Sequence, residues 1–333
     1  MHVWHMRLRL TRSGMQTMAA HVDEADVLIQ GRRMHYLRAG SGPPLLLIHG
    51  LVGSLRNWRF NIDSLAEAST VYAVDLLNMG ESDRDAGFDP TLEATADYLV
   101  AFMDALGLAQ ADVAGHSHGG AVSLALAARY PHRVHRLILF APANPFCDLG
   151  RQLIRFYRHD VGGAFARMIP TLPRWTKATA LRRMYGDPAR VPADALSGYV
   201  DGLAVPGTVD HVLRIVRQWG SEMARLRCML PALANVPALL IWGDRDRAVG
   251  LSSAKHLERL LLRSSLVILP GVGHIPFEEM PSACNRVMLE FLASPSASES
   301  PDRTISRARA LSADRILTRE GKAIASQPTS FVA

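Results

Sequence analysis

A serine hydroxyl is a weak nucleophile unless a base stands beside it and the backbone holds it clear of its neighbours. Among the serines of this 333-residue chain, Ser117 has the setting for that chemistry. It lies in Gly115-His116-Ser117-His118-Gly119-Gly120, after an apolar run ending at Ala114 and before a helix-like run starting at Ala121. Gly-x-Ser-x-Gly between a strand and a helix is a nucleophile elbow. The sharp turn forces the serine into a strained backbone conformation, and the small residues beside it keep strand and helix from colliding. The hydroxyl is then presented above the sheet edge with the positive end of a helix behind it. The bland alternative, a glycine-rich turn without chemistry, fits a bare Gly-x-Ser-x-Gly better than one set between strand and helix.

An activated serine needs a histidine, and the chain has thirteen. His274, in Gly271-Val272-Gly273-His274-Ile275-Pro276, follows the last apolar strand-like run, so a loop can bring it over the same sheet edge. His116 and His118 flank the serine, and their side chains are expected to diverge from it; His118 is expected to offer its backbone N–H. The base in turn needs a carboxylate to fix its tautomer and stabilise the imidazolium. Trp242-Gly243-Asp244-Arg245-Asp246 supplies two. At the end of the run Leu45 to Ile48, His49-Gly50-Leu51 lets the backbone pass close to a reacting carbonyl. The N–H of Leu51 can there join that of His118 as an oxyanion hole, each donor worth roughly 3–4 kcal/mol in such sites. Read blandly, His49-Gly50 is a strand-end turn.

These groups need a scaffold that ends several strands at one edge. Val27–Gln30 and Met34–Arg38 read as two short strands around a tight turn. Leu45–Ile48, Val71–Val74, Ala111–Ala114, Leu137–Phe140, Ala238–Trp242 and Leu266–Leu269 are short, mostly apolar runs, as expected of strands buried on both faces. Amphipathic helix-length stretches such as Leu92–Leu106, Ala121–Arg129 and Ser252–Leu262 lie between them. The alternation predicts an α/β fold with a mostly parallel central sheet and helices on both faces. It breaks over residues 145–230, where Pro and Gly punctuation predicts several short helices and no strand: an inserted helical cap, flanked by core segments 23–144 and 231–293.

The net charge of +6 could suggest a nucleic-acid partner, but it is unevenly spread. Residues 145–230 hold thirteen basic against seven acidic residues, and residues 21–144 hold nine against fourteen. No Lys/Arg run with interleaved aromatics occurs, so no nucleic-acid partner is expected. No window is apolar enough to span a membrane. Three cysteines without metal-ligand spacing suit a reducing cytoplasm. Residues 1–22 read as a loose extension and the Ser/Pro-rich residues 294–333 as a disordered tail. Neither a metal nor an organic cofactor is expected.

The chain resembles the α/β-hydrolase superfamily, in particular its capped esterases, lipases and carbon–carbon hydrolases. The resemblance spans residues 27 to 292. It rests on His49-Gly50, Asp75 through Gly80-Glu81-Ser82-Asp83, the elbow with Gly115 and Gly119, Trp242-Gly243-Asp244-Arg245-Asp246, and Gly273-His274 continuing to Glu279 and Pro281. It implies a Ser117–Asp246–His274 triad, the family spacing selecting Asp246 over Asp244, and a structural role for Asp75 in holding its loop to Asp83. A serine at the elbow speaks against dehalogenation and epoxide opening, which use aspartate there. The implied activity is hydrolysis of a small to medium apolar carboxylic ester through an acyl-enzyme. The alternatives are carbon–carbon bond hydrolysis of a dienoic ketone acid and a non-catalytic ligand-binding member of the fold. Some of the cap's large apolar residues, Phe156, Met168, Trp175 and Tyr199 among them, are expected to line a pocket over Ser117.

Overall fold

The computed structural model describes residues 22–147 and 151–294. The expected extension and tail lie outside the described residues, except for Val22 and Ser294. Eight strands form one sheet: β1 (Val22–Ile29), β2 (Arg32–Ala39), β3 (Pro44–Ile48), β4 (Thr70–Val74), β5 (Ala111–His116), β6 (Val134–Phe140), β7 (Ala238–Gly243) and β8 (Ser264–Leu269). Their spatial order is β1-β2-β4-β3-β5-β6-β7-β8, and only the β1–β2 and β2–β4 pairs are antiparallel. Helices α1 (Ile62–Ala66), α2 (Leu92–Ala105) and α3 (His118–Arg129) belong to the first half. Helices α4 (Arg151–Arg158), α5 (Asp160–Met168), α6 (Arg174–Arg182), α7 (Ala195–Tyr199) and α8 (Thr208–Met229) follow β6. Helices α9 (Leu251–Leu260), α10 (Pro276–Glu279) and α11 (Pro281–Leu292) complete the chain.

Period-two alternation along the central strands sends side chains into two separate cores. Leu46 and Ile48 of β3 join Phe102 of α2 and Leu124 of α3 on one face; Leu45 and Leu47 join Trp58, Phe140 and Phe277 on the other. All nine of these side chains are fully buried, each contributing roughly 1.5–3 kcal/mol of hydrophobic stabilisation. Burial on both faces explains why these strands read as unbroken apolar runs.

Three elements differ from the sequence reading. β1 starts at Val22, not Val27, because Asp23, Glu24 and Asp26 lie on an exposed edge strand whose backbone pairs with β2 through Val22↔Ala39. β8 is the opposite edge, so its apolar run is only partly covered and Ile268 is exposed. Within residues 145–230 the described residues form helices and no strand, but α8 is long, at 22 residues. It lies across the core: Glu222 accepts the Leu92 N–H at the start of α2 (2.8 Å), and Arg214 donates to the carbonyls of Ala86 and Phe88.

The Phe140 ring meets Trp58 and Phe277 edge-on, at 5.7 and 5.3 Å between centroids, directly beneath the β5–α3 turn. Replacing Phe140 with Ala should cost about 3–5 kcal/mol of unfolding free energy in urea titration; a loss below about 1 kcal/mol would mean that this cluster does not support the turn.

Candidate active site

Strands β3, β5, β7 and β8 run parallel, so the loops after them meet at one edge of the sheet. Ser117 stands between β5 and α3 with φ 52° and ψ −115°, a conformation that side-chain-bearing residues rarely adopt. The surroundings hold it there: its N–H donates to Phe140 O (3.0 Å) and its carbonyl accepts from Ala143 N–H (2.8 Å). Close packing makes two glycines obligatory. A Cβ on Gly119 would collide with the carbonyls of Ile48 and His49, and one on Gly115 with Ser123 Oγ and the Gly119 carbonyl.

The structure brings the three expected residues together. His274 Nε2 lies 3.0 Å from Ser117 Oγ, placed to accept the hydroxyl proton, and His274 Nδ1 lies 2.8 Å from Asp246 Oδ2. The second oxygen of Asp246 accepts N–H groups of Ala248 and Val249, both at 2.8 Å, so the carboxylate is fixed from both sides. Asp244 points elsewhere, its Oδ1 accepting the Gly271 N–H. His118 opens α3, where its N–H has no carbonyl one turn earlier in the helix to bond, and Leu51 lies in the turn after β3. Asp75 takes the structural place expected of it, accepting from Leu55 N–H and Glu81 N–H at 2.7 Å each.

Four imidazoles around the serine are buried. His49 donates Nδ1–H to Gly50 O and accepts the Leu76 N–H on Nε2, so it ties the β3 turn to the β4 turn. His116 donates Nε2–H to His274 O (2.9 Å); the sequence reading recognised that its ring leaves the serine but missed that it supports the base's backbone. Burial lowers the pKa of both, that of His116 well below the ordinary value with the His274 charge adding to the effect. His118 is pushed down to about 3 by burial, then by His211 and His49; His211 is pushed down to about 4 by burial, then by Arg214 and Arg84. Beside these two rings a cleft is lined by Leu76, Met79, Phe88, Tyr98 and Ile215.

The four large apolar residues of the 145–230 segment named as candidates for a pocket over Ser117 turn outward or are otherwise bonded. Phe156, Met168 and Trp175 face outward, and the Tyr199 hydroxyl is committed to Glu278 at 3.0 Å. Composition identified large apolar residues in the cap but carried no information on the side of each short helix that turns inward.

Two adjacent carboxylates that the sequence reading did not single out as a pair join the His274 loop to the segment of residues 185–199. Glu278 accepts Tyr185 Oη–H (2.7 Å), Tyr199 Oη–H and an Arg59 N–H (3.1 Å), and burial raises its pKa against the pull of Arg59. Glu279 accepts the N–H groups of Gly186, Asp187 and Gly273.

The neutral histidines make stability depend on pH with a definite sign. An unfolded chain binds protons at histidine near pH 6.5, whereas folded His211 and His118 resist them down to about 4 and about 3. Stability is therefore full above about pH 6.5 and falls below it, by up to about 1.4 kcal/mol per pH unit for each histidine. Urea titrations at a series of pH values should show this slope, and His211→Gln should remove about one histidine's share; an unchanged slope would refute the burial of a neutral ring.

The comparisons agree with the fold. The model of the α/β-hydrolase fold family matches residues 43–281. The chain is 44% identical over 299 residues to the dihydrolipoyllysine-residue acetyltransferase component of the acetoin cleaving system of Cupriavidus necator, covering 84% of this chain and 71% of that protein. It is 28% identical over 252 residues to the 2-hydroxymuconate semialdehyde hydrolase of a Pseudomonas species, covering 75% and 86%. Among solved structures, the meta-cleavage product hydrolase of Pseudomonas fluorescens superposes with a TM-score of 0.70 at 25% identity, over 80% of this chain and 97% of that one. The eight-stranded sheet in this order, the elbow at its edge and the extent of the family match together make this chain a member of the α/β-hydrolase fold family.

Proposed function

We propose that the chain is a serine hydrolase that cleaves a small to medium apolar carboxylic ester through an acyl-enzyme. The observation that carries the reading is the continuous relay from Ser117 Oγ to His274 Nε2 (3.0 Å) and from His274 Nδ1 to Asp246 Oδ2 (2.8 Å), on a serine whose strained backbone the fold maintains. Ser117 Oγ attacks the ester carbonyl as its proton passes to His274 Nε2. The N–H groups of Leu51 and His118 receive the developing oxyanion. His274 returns the proton to the departing alkoxide, leaving the acyl group on Ser117. Water then gives a proton to the same nitrogen, attacks the acyl carbon and releases the acid with the serine restored. Asp246 holds the Nδ1–H tautomer and stabilises the imidazolium. We place this activity in the cytoplasm, in keeping with the cysteine content.

A second reading, carbon–carbon hydrolysis of a dienoic ketone acid, is favoured by one specific observation: two of the similar proteins carry names of that chemistry. The same relay would serve it, with a carbanion-stabilised fragment leaving in place of the alkoxide. A panel of p-nitrophenyl esters set against a dienoic ketone acid separates the two. Ester turnover is expected to dominate; fast cleavage of the ketone acid with negligible ester turnover would replace the first reading by the second.

Ser117→Ala should abolish fluorophosphonate labelling and lower turnover by roughly four to six orders of magnitude while the fold persists. Parental turnover in that variant would end the proposal. Asp246→Asn should cost on the order of thousands-fold, because the imidazole is freed to take the wrong tautomer, whereas Asp244→Asn should cost little. The reverse pattern would reassign the acid.

A further inference from the structure

Helix α5 is built inside out. Its buried positions are Gly162, Gly163 and Ala166, whereas Val161, Phe165 and Met168, at i, i+4 and i+7, are 76%, 45% and 57% exposed. The small residues serve close packing: Gly162 lies against the backbone of Phe156 and Tyr157, and Gly163 faces Leu213 and Arg217 of α8. Packing therefore accounts for the inner face and leaves the apolar outer face unexplained. The apolar surface continues on both sides. The Phe156 ring of α4 meets that of Phe165 at 6.2 Å, and Trp175, 71% exposed, begins α6, which Lys177 ties back to the Pro170 carbonyl at 3.0 Å.

The same stretch is strongly basic. Residues 151–183 contain eight Lys or Arg and one acidic residue, Asp160, a net +7. Arg167 and Arg174 pair with Asp210 and Asp201, but these are exposed pairs of small energy. Arg155, Arg158, Arg182 and Arg183 are exposed, and no ion pair to them is seen among the described residues. Arg182 follows Trp175 by seven residues and so shares its side of α6.

We infer that this face of the cap docks on an anionic lipid surface. An apolar stripe with an exposed indole, rimmed by arginines, has the makeup of a helix that lies in a membrane interface. A symmetric contact with a second copy would set one +7 face against another. A nucleic acid would satisfy the arginines and leave Val161, Phe165 and Met168 in water. The phosphates of acidic headgroups meet the arginines, while the boundary with the acyl chains accepts the apolar stripe.

The test is flotation of the full chain with vesicles of phosphatidylcholine plus phosphatidylglycerol, against vesicles of phosphatidylcholine alone. Binding is expected only to the anionic vesicles, and high salt should weaken it. The triple variant Phe165→Ser, Met168→Ser, Trp175→Ser should not float. Arg158→Gln and Arg182→Gln should each lower partitioning about fivefold. All these side chains are exposed, so turnover of a soluble ester and the unfolding midpoint should match those of the parent. No flotation of the parent, or undiminished flotation of the triple variant, would overturn the inference. So would a parent that ignores vesicles but forms a dimer that the triple variant loses, which would assign the face to a second copy.

Discussion

The closeness with which α3 approaches β3 and β5 governs this edge of the sheet. No side chain fits at Gly115 or Gly119, because carbonyl groups and Ser123 Oγ already occupy the space a Cβ would need. That approach aims the first turn of α3 at the end of β3 and forces Ser117 to φ 52°. The strain, of order 1–3 kcal/mol for such a backbone, is offset by bonds from both peptide groups of the serine, to Phe140 and Ala143, and by the aromatic cluster beneath. The placement of the half-buried hydroxyl is therefore a consequence of backbone packing, and His274 has only to be brought to it.

Neutral imidazoles hold the rest of this edge. Inside a low-dielectric site a charged ring would cost several kcal/mol unless paired, and none of His49, His116, His118 and His211 has a carboxylate within bonding distance among the described residues. Each ring lies where burial favours the neutral form, and a neutral ring can donate from one nitrogen while accepting at the other. His49 uses both, joining the loops after β3 and β4. His116 uses its donor to fix the carbonyl of His274. A charged ring at either place would also repel the imidazolium that the proposed reaction forms on His274.

The sheet and the elbow were legible in the sequence because each depends on local pattern. Buried strands announce themselves by unbroken apolar runs, and the elbow by glycines that close packing requires. Asp244 and Asp246 could not be told apart from the residues alone; family spacing separated them, and the geometry agrees, since one carboxylate turns to Gly271 N–H and the other to His274. The helical segment between β6 and β7 was legible in outline only. Some of its large apolar residues were expected inward because such residues are ordinarily buried, yet Trp175, Met168 and Phe156 face outward and α5 reverses the rule with Gly162, Gly163 and Ala166 on its inner face. Edge strand β1 was shortened in the reading because polar residues on an exposed edge carry no apolar signal, and only its backbone ladder reveals it.

Glu278 and Glu279 show why a loop motif can matter beyond its histidine. A buried carboxylate is tolerable only when its lone pairs are filled. Glu278 fills them with Tyr185, Tyr199 and Arg59, and Arg59 in turn grips Asp194 of the cap with two N–H bonds at 2.7 and 2.8 Å. Glu279 fills them with three peptide N–H groups, two from Gly186 and Asp187 and one from Gly273, next to His274. The His274 N–H itself donates to Met184 O at 2.6 Å. Lifting the 184–199 segment away from the core would strip donors from both carboxylates at once and release the backbone of the base. The position of His274 beside Ser117 is thus coupled to the seating of this segment, and the stability of that contact sets how firmly the Ser117–His274–Asp246 contacts are held.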